Sequence, residues 1–462
     1  MSTHTSNRFN LTSLPLPYTD DASDYFLRIR HLPYAIWLDS GRPSGNFGRY
    51  DIISAAPQKI LSEQLTTTTN SPNVQAATQI FDELDAALEE FGHPASASDL
   101  PFTGGAIGYL GYNMGSAIEP SVGSKQRDIA LPDAWFGIYN WAIIIDHPSS
   151  TATLTFTDHC STSLRSEVSD ALRSETFNPL NKFSCEPPQG ELTKGDYLQQ
   201  INRIQHYIEA GDCYQVNFAQ RFKTAFQGDP LALYLYTRKR LPSPYSCYLE
   251  LEGNAVLSFS PEQFLTADKS RVETKPIKGT APRKKEIKDD ELSAQILLSS
   301  SKDRAENIMI VDLLRNDLSK HCEPHSVNTP QIASLESYAN VHHLVSRVTG
   351  ILKPNCNHTQ VLRDCFPGGS ITGAPKIRAM QIINECEPVE RSIYCGSIGY
   401  LSSNGKMDTN IAIRTMVLCE GDVYFWGGGG IVADSDADAE YQETLDKVSP
   451  LFEALTYFSN KN

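Results

Sequence analysis

Apolar residues over positions 1–150 come in short runs bounded by turn formers: Tyr34-Ala35-Ile36-Trp37-Leu38, the stretch 137–145, and a third run punctuated by Gly105, Gly108 and Gly111. Runs of this length between glycine, proline and serine predict strands, so this part is expected to be β-rich. Positions 151–192 are rich in Ser, Thr and Pro and close on Pro187-Pro188-Gln189-Gly190, which reads as a crossover or linker. From Thr193 the period changes. Leu198, Ile201, Ile204 and Ile208 recur at helical spacing, and Gly211 follows where a left-handed residue would stop a helix. Strands are expected at 247–251 and 255–259, then a turn over 276–283, then a helix from about Asp303 to Leu318. Its apolar positions, 308–311, 313 and 314, run nearly all the way round, the pattern of a buried helix. A glycine-punctuated strand region over 396–424 leads into Gly427-Gly428-Gly429-Gly430 and a final helix from about Ala437. No repeat of fixed period is present, and strands followed by helices, without strict alternation, favour an α+β fold.

Composition narrows the function classes. A chain of 462 residues with 40% hydrophobic and 21% charged residues is a globular chain able to bury a large core, as two or three domains or one two-lobed unit. The net charge of -15 argues against nucleic acid or a membrane surface as partner, while leaving room for an anionic small substrate met by local basic groups. Met1-Ser2-Thr3-His4-Thr5 has neither a basic nor an apolar leader segment, and the apolar run 141–145 is too short to span a bilayer. The ten cysteines are scattered without a C-x-x-C pair, which disfavours a disulfide framework or zinc cluster and fits a reduced cytoplasm.

Several segments could carry chemistry. Asp303 and Glu306 stand one turn apart on a predicted helix, and Glu440, Glu443 and Lys447 share one face of another. Such carboxylates suit a hard cation such as Mg²⁺ or, as isolated helices more often do, a solvated acidic face. Glu306 stands out because an acid on an otherwise apolar helix is costly to bury unpaired. The tetraglycine, between a strand and a helix, is read either as an anion-binding nest or as a turn. The segment 366–376, with Ser370 and Thr372 before a helix start, admits the same pair of readings. Lys278, between Pro276 and Gly279, has a constrained backbone; it would be a nucleophile if its proton is lost through burial or cationic neighbours such as Lys275 or Arg283, and otherwise an exposed loop lysine. His343, beside His342, is structural or functional, and Glu262 in Ser260-Pro261-Glu262 would be a general acid if burial raises its pKa.

Taken together, Gly211-Asp212-Cys213-Tyr214-Gln215-Val216-Asn217, Ser260-Pro261-Glu262, the segment 276–283, Val311-Asp312-Leu313-Leu314-Arg315-Asn316-Asp317, residues 368–376 and Gly430-Ile431-Val432-Ala433-Asp434-Ser435 resemble the chorismate-utilising family, which includes anthranilate, aminodeoxychorismate, isochorismate and salicylate synthases. The resemblance covers nearly the whole chain. It implies a two-lobed antiparallel β-sheet sandwich with outer helices: an amino-terminal lobe over 1–150, the crossover at 151–192 and a chorismate-binding region over 193–462, packed as one unit. It further implies Mg²⁺ surrounded by Asp303, Glu306, Glu440 and Glu443, with Glu306 and Glu443 as direct ligands. Tyr394, Arg414, Lys447 and the amides of Gly428, Gly429 and Gly430 would hold the chorismate carboxylates. Ser370, Thr372 and His343 would line the ring, and Glu262 would protonate the departing C4 hydroxyl.

Two positions discriminate within that family. Isochorismate and salicylate synthases carry a water-activating lysine where this chain has Gln215, and glutamine cannot act as that base. Anthranilate synthases carry alanine where this chain has Lys278, whereas the aminodeoxychorismate branch carries lysine. That amine would add at C2 and leave C4 open to ammonia. The implied activity is conversion of chorismate to 4-amino-4-deoxychorismate on the route to 4-aminobenzoate and folate, with ammonia from a separate glutamine amidotransferase subunit, since no such domain is visible here. Anthranilate formation and non-catalytic anion binding are the competing readings. Leu38-Asp39-Ser40-Gly41 matches a region that makes a tryptophan site in relatives, so Ser40 marks either a bound tryptophan or ordinary core packing.

Overall fold

The computed structural model describes residues 7–44, 48–65, 74–174, 182–338 and 341–459; the Met1–Thr5 segment lies outside them. Two large antiparallel sheets face each other, one of 13 strands and one of 10. The first sheet shows why the alternating sequence builds a sandwich. Successive residues on a strand point to opposite faces. In Trp141–Asp146, Ile144 joins the core between the sheets, while Ile143 and Ile145 join the core under the outer helices. Ile36 and Trp37 divide in the same way. The outer core receives Phe26 and Ile29 from helix Ser23–Ile29, Val168 from Thr162–Arg173, Leu233 and Tyr234 from Pro230–Arg238, and Val448, Leu451 and Leu455 from Ala437–Ser459.

Both sheets run through both halves of the chain. Ile36–Asp39 pairs with Tyr245–Leu251 in the first sheet, and Gly105–Leu110 pairs with Ser397–Ser402 in the second. The segment 151–192 differs from the expected linker over its described residues. Thr151–Thr157 is an interior strand between Trp141–Asp146 and Leu11–Leu16, and helix Thr162–Arg173 follows. Its Ser/Thr content misleads: Ala152, Leu154 and Phe156 alternate with β-branched threonines, which is a strand pattern.

The helix Lys194–Glu209 forms as its period predicts. Thr193 caps it by accepting from the Asp196 amide, and Gly211 ends it at φ 86°. The helix Ser301–Ser319 forms too, capped by Ser300, but is not buried all round. It rests one face, with Ile310, Val311 and Leu314, on the strands Asn328–Ser337 and Val341–Ile351, so Ile308 on the opposite arc is 55% exposed. Among the described residues no helix is long and apolar enough to cross a membrane.

Candidate active site

The chain passes between the two sheets at two neighbouring places, and each carries a charged residue. Glu262 lies between Asn254–Ser260 of the first sheet and Gln263–Asp268 of the second; Arg414 lies between Lys406–Asn410 of the second and Thr415–Cys419 of the first. The crossings are tied together: Ile411 donates its amide to the Glu262 carbonyl at 3.0 Å, Ser260 Oγ donates to the Ile411 carbonyl at 2.6 Å, and the Phe259 amide donates to the Arg414 carbonyl at 3.1 Å. Glu262 is buried, which raises its pKa against the Ser370 hydroxyl and the Lys278 and Lys447 charges. The half-buried Arg414 side chain makes no hydrogen bond or ion pair among the described residues, and burial lowers its pKa. A desolvated guanidinium without a counter-charge is a site for an anion.

Lys278 owes its direction to a bulge. Strand Ile277–Pro282 pairs with Val341–Ile351 as Ile277 with Val345 and Thr280 with His343, and the register slips between those pairs, where Lys278 and Gly279 sit. Gly279 has φ 82°, and a Cβ there would come within 3.1 Å of the Asp303 side chain, so glycine lets helix Ser301–Ser319 close over the bulge. The half-buried Lys278 ammonium donates to the Ser370 carbonyl at 3.1 Å. Burial lowers its pKa, opposed by Glu306 and Glu262 and aided by Lys447. Strand alternation separates the two histidines. His343 is buried, bonds Thr280 Oγ1 at 2.9 Å, and is pushed down to about 4 by burial and Arg414, so its ring is neutral at pH 7. His342 faces Ser337 and Asp290 instead.

The tetraglycine is not a turn or nest. It lies inside strand Asp422–Ile431, with Gly427 to Gly430 opposite Gln220 to Asn217. Its lack of side chains lets helix Ala437–Ser459 approach. A Cβ on Gly429 would stand 3.1 Å from Glu440 Oε2, 3.6 Å from Glu443 Oε1 and 3.8 Å from Lys447 Nζ, and one on Gly430 would strike the Gln215 amide. Lys447 Nζ donates to Glu443 Oε1 at 2.6 Å and to the Gly428 carbonyl at 2.9 Å, while Glu440 accepts from Ser435 Oγ at 2.7 Å. Burial raises Glu306, with Lys278 opposing and Asp303 and Glu440 reinforcing; burial and Glu443 likewise raise Glu440. Burial acts upward on Glu443 as well, but Lys447 and Lys302 bring it below its ordinary value.

These oxygen donors and the space that any side chain on Gly429 would fill fit a hard cation in kind. As the side chains stand, no three of the acids among the described residues lie close enough to hold a metal. Lys302, 3.8 Å from Glu440, escaped the sequence reading, although it precedes Asp303 and sits four residues before Glu306 on one helix.

Residues 368–376 form the wall opposite. Gly373 and Ala374 pair with Val216 and Gln215, putting Ser370 beside Glu262 and Lys278. Thr372 is wholly buried, and its hydroxyl donates to the Gly368 carbonyl at 3.0 Å. Gln215 is buried with Oε1 unpartnered. Tyr394 is buried, and its ring stacks on Trp426 at 5.8 Å. Two fastenings went unseen in the sequence. Lys376 Nζ reaches Asp317 at 2.6 Å, joining this segment to helix Ser301–Ser319. Arg391 bonds Glu387, the Ile371 carbonyl at 3.1 Å and the Asn217 carbonyl at 2.6 Å, clamping the segment to strand Gln215–Gly228. The i,i+4 spacing of Glu387 and Arg391 was the available signal, although these two residues lie beyond the helix end.

Ser40 lies elsewhere. It is fully buried, donates to Asp51 at 2.9 Å and bonds His147 at 3.1 Å. A separate cavity of about 350 Å³, lined by Leu38, Asp39, Tyr245, Gln263 and Asp408 among others, opens nearby without Ser40 in its wall.

Residues 34–453 match the chorismate binding enzymes. The chain is 43% identical to aminodeoxychorismate synthase component 1 of Escherichia coli (strain K12), over 94% of this chain and 96% of that protein, and 42% identical to the protein of that name from Salmonella typhimurium, over 96% and 98%. Its fold is similar to the crystal structure of anthranilate synthase component I from Streptococcus pneumoniae TIGR4, at TM-score 0.77 and 31% identity, covering 88% of this chain and 92% of that one. This chain belongs to the chorismate-binding enzyme family.

Proposed function

We propose that this enzyme converts chorismate and ammonia into 4-amino-4-deoxychorismate and water, and that its ammonia comes from a glutamine amidotransferase subunit. The observation that carries the reading is the Lys278 amine, lowered in pKa by burial, set against Glu262, raised by burial. Moving one proton from the ammonium to the carboxylate yields a nucleophile and an acid together.

In the first step the Lys278 nitrogen bonds to C2 of the ring, the two conjugated ring double bonds shift towards C4, and the C4 oxygen departs as water with the proton from Glu262. In the second, ammonia bonds to C4, both double bonds return, and the C2–N bond breaks to release the Lys278 amine, while Glu262 recovers a proton from the new C4 ammonium. Occupying C2 with a tethered amine is what directs the incoming nitrogen to C4. Arg414, without a partner among the described residues, and Lys447, paired with Glu443, are offered for the substrate carboxylates, with Ser370 and neutral His343 along the ring. Mg²⁺, with Glu306 and Glu443 as ligands and Glu440 and Asp303 around them, would supply positive charge for a substrate carboxylate when bound. Tryptophan near Ser40 is proposed for the 350 Å³ cavity, where Asp408 is held up to about 7 by burial and keeps one oxygen unpartnered. A reducing, cytoplasmic setting suits ten free thiols.

Mixing the purified chain with chorismate, with and without ammonium and Mg²⁺, tests whether it is an enzyme. Consumption of chorismate that requires ammonium is expected; saturable binding with no turnover in any mixture would contradict the proposal.

A further inference from the structure

Nine of the ten cysteines are buried, and Cys356 alone is half-exposed. It sits in a group of side chains that the chorismate site does not use. Cys356 Sγ lies 3.2 Å from His321 Nδ1, and His321 Nε2 lies 2.9 Å from Asp364 Oδ2, an ion-pair contact without hydrogen-bond alignment. The backbone holds this arrangement. The Lys353 amide donates to the His321 carbonyl at 2.9 Å and the Cys356 amide to the Lys353 carbonyl at 3.0 Å, so the turn carrying the thiol is stitched to the residue carrying the imidazole. Asp364 comes from helix His358–Cys365, and Arg363 Nε fixes its other oxygen at 2.6 Å.

A thiol, an imidazole within reach and a carboxylate on the far ring nitrogen are the parts of an activated sulfur nucleophile. Lys353, from the same turn, also lines an adjacent cavity of about 460 Å³, whose wall includes Arg315 and His325, with Glu323 as its acid, and does not itself contain Cys356, His321 or Asp364. That excess of basic groups suits a small molecule bearing carboxylates.

We propose that Cys356, with His321 as its base and Asp364 holding the imidazole, is a thiol–disulfide exchange site for small carboxylate-bearing disulfides of the glutathione type. His321 takes the thiol proton as the Cys356 sulfur bonds to one sulfur of the reagent. The reagent S–S bond breaks, and the departing thiolate takes the proton from His321. Cys356 is thereby oxidised to a mixed disulfide and the released half is reduced to a thiol, with no other oxidant needed. Burial and Asp364 favour the neutral thiol while Lys353 opposes them, so the proton leaves to His321 during attack and not to water beforehand.

The test exposes the full-length chain to glutathione disulfide and follows intact mass with time, mapping the adduct by peptide digestion. One adduct, on Cys356, is expected, absent in Cys356→Ser, a variant that keeps its chorismate turnover. His321→Asn should slow adduct formation by about a hundredfold, the low end for a general base, with Asp364→Asn between it and the native chain. An adduct forming as fast on another cysteine, no adduct on Cys356, or His321→Asn and Asp364→Asn both reacting at the native rate would overturn the proposal. Should His321→Asn fail to fold, alkylation of the native chain against pH decides. A rate that falls less steeply than about tenfold per pH unit below the usual thiol range supports the imidazole-assisted thiol, and the full tenfold dependence contradicts it.

Discussion

Lys278 Nζ donates a 3.1 Å hydrogen bond to the main-chain oxygen of Ser370. The amine is thereby tied to the glycine-rich segment 368–376, which is itself fastened to helix Ser301–Ser319 through Lys376 and Asp317. A flexible side chain held at its tip loses little further freedom on reaching the reactive geometry.

Lys278→Ala should lower the rate of aminodeoxychorismate formation by about 10³-fold or more, because a tethered nucleophile is replaced by none. With C2 unblocked, some 2-amino product is expected. Chromatography of the products checks both; an undiminished yield of the 4-amino product would remove the covalent role of the lysine.

The proton arrangement predicts a bell-shaped pH profile of kcat/KM. Activity needs one proton shared between Glu262 and Lys278, on the acid and off the amine. At low pH both are protonated, at high pH neither is, and the two inflections belong to the pair. Glu262→Gln should lose about 10²–10⁴-fold in kcat and retain only the rising limb, since only the amine still titrates. A variant profile that keeps both limbs would assign the acid elsewhere.

Gly429→Ala places a methyl group 3.1 Å from Glu440 Oε2 and 3.6 Å from Glu443 Oε1, inside the space proposed for the cation. The strand tolerates alanine, so the fold should persist while the Mg²⁺ concentration for half-maximal rate rises by about tenfold, a cost near 1.4 kcal/mol. Titration of activity with Mg²⁺ reads this directly, and an unchanged requirement would place the cation away from Gly429.

His343 is pushed down to about 4 from an ordinary 6.5, so folding favours its neutral ring. Its contribution to stability is full above about pH 6.5 and is lost as pH falls towards 4, amounting to roughly 3 kcal/mol. Urea unfolding between pH 7 and pH 4 should show a shallower decline in His343→Gln than in the native chain.

Glu387 and Arg391 form an ion pair only 4% and 1% exposed. Glu387→Gln leaves that guanidinium without a full counter-charge and should cost about 3–5 kcal/mol in denaturant unfolding. A loss of less than about 1 kcal/mol would mean that the carbonyls of Ile371 and Asn217 hold Arg391 by themselves.

Much of this was legible in the sequence because it depends on local pattern. The helices at Lys194–Glu209 and Ala437–Ser459 follow from period and caps, and Lys278, Glu262 and the acids stand in segments whose order alone marks the family. What was not legible depends on long-range packing. Gly427 to Gly430 looked like a turn because glycine disfavours strands, yet here the approach of helix Ala437–Ser459 makes glycine the residue that fits. Thr151–Thr157 looked like a linker because the polar threonines hid its alternation. Helix Ser301–Ser319 looked buried because its apolar residues cannot reveal that only one side meets a sheet.

The central claim is the position at which nitrogen enters the ring. The purified chain, incubated with chorismate, ammonium and Mg²⁺, is predicted to yield 4-amino-4-deoxychorismate, identified by mass and chromatographic retention, and turned into 4-aminobenzoate only when a lyase is added. Accumulation of fluorescent 2-aminobenzoate without a lyase would contradict it.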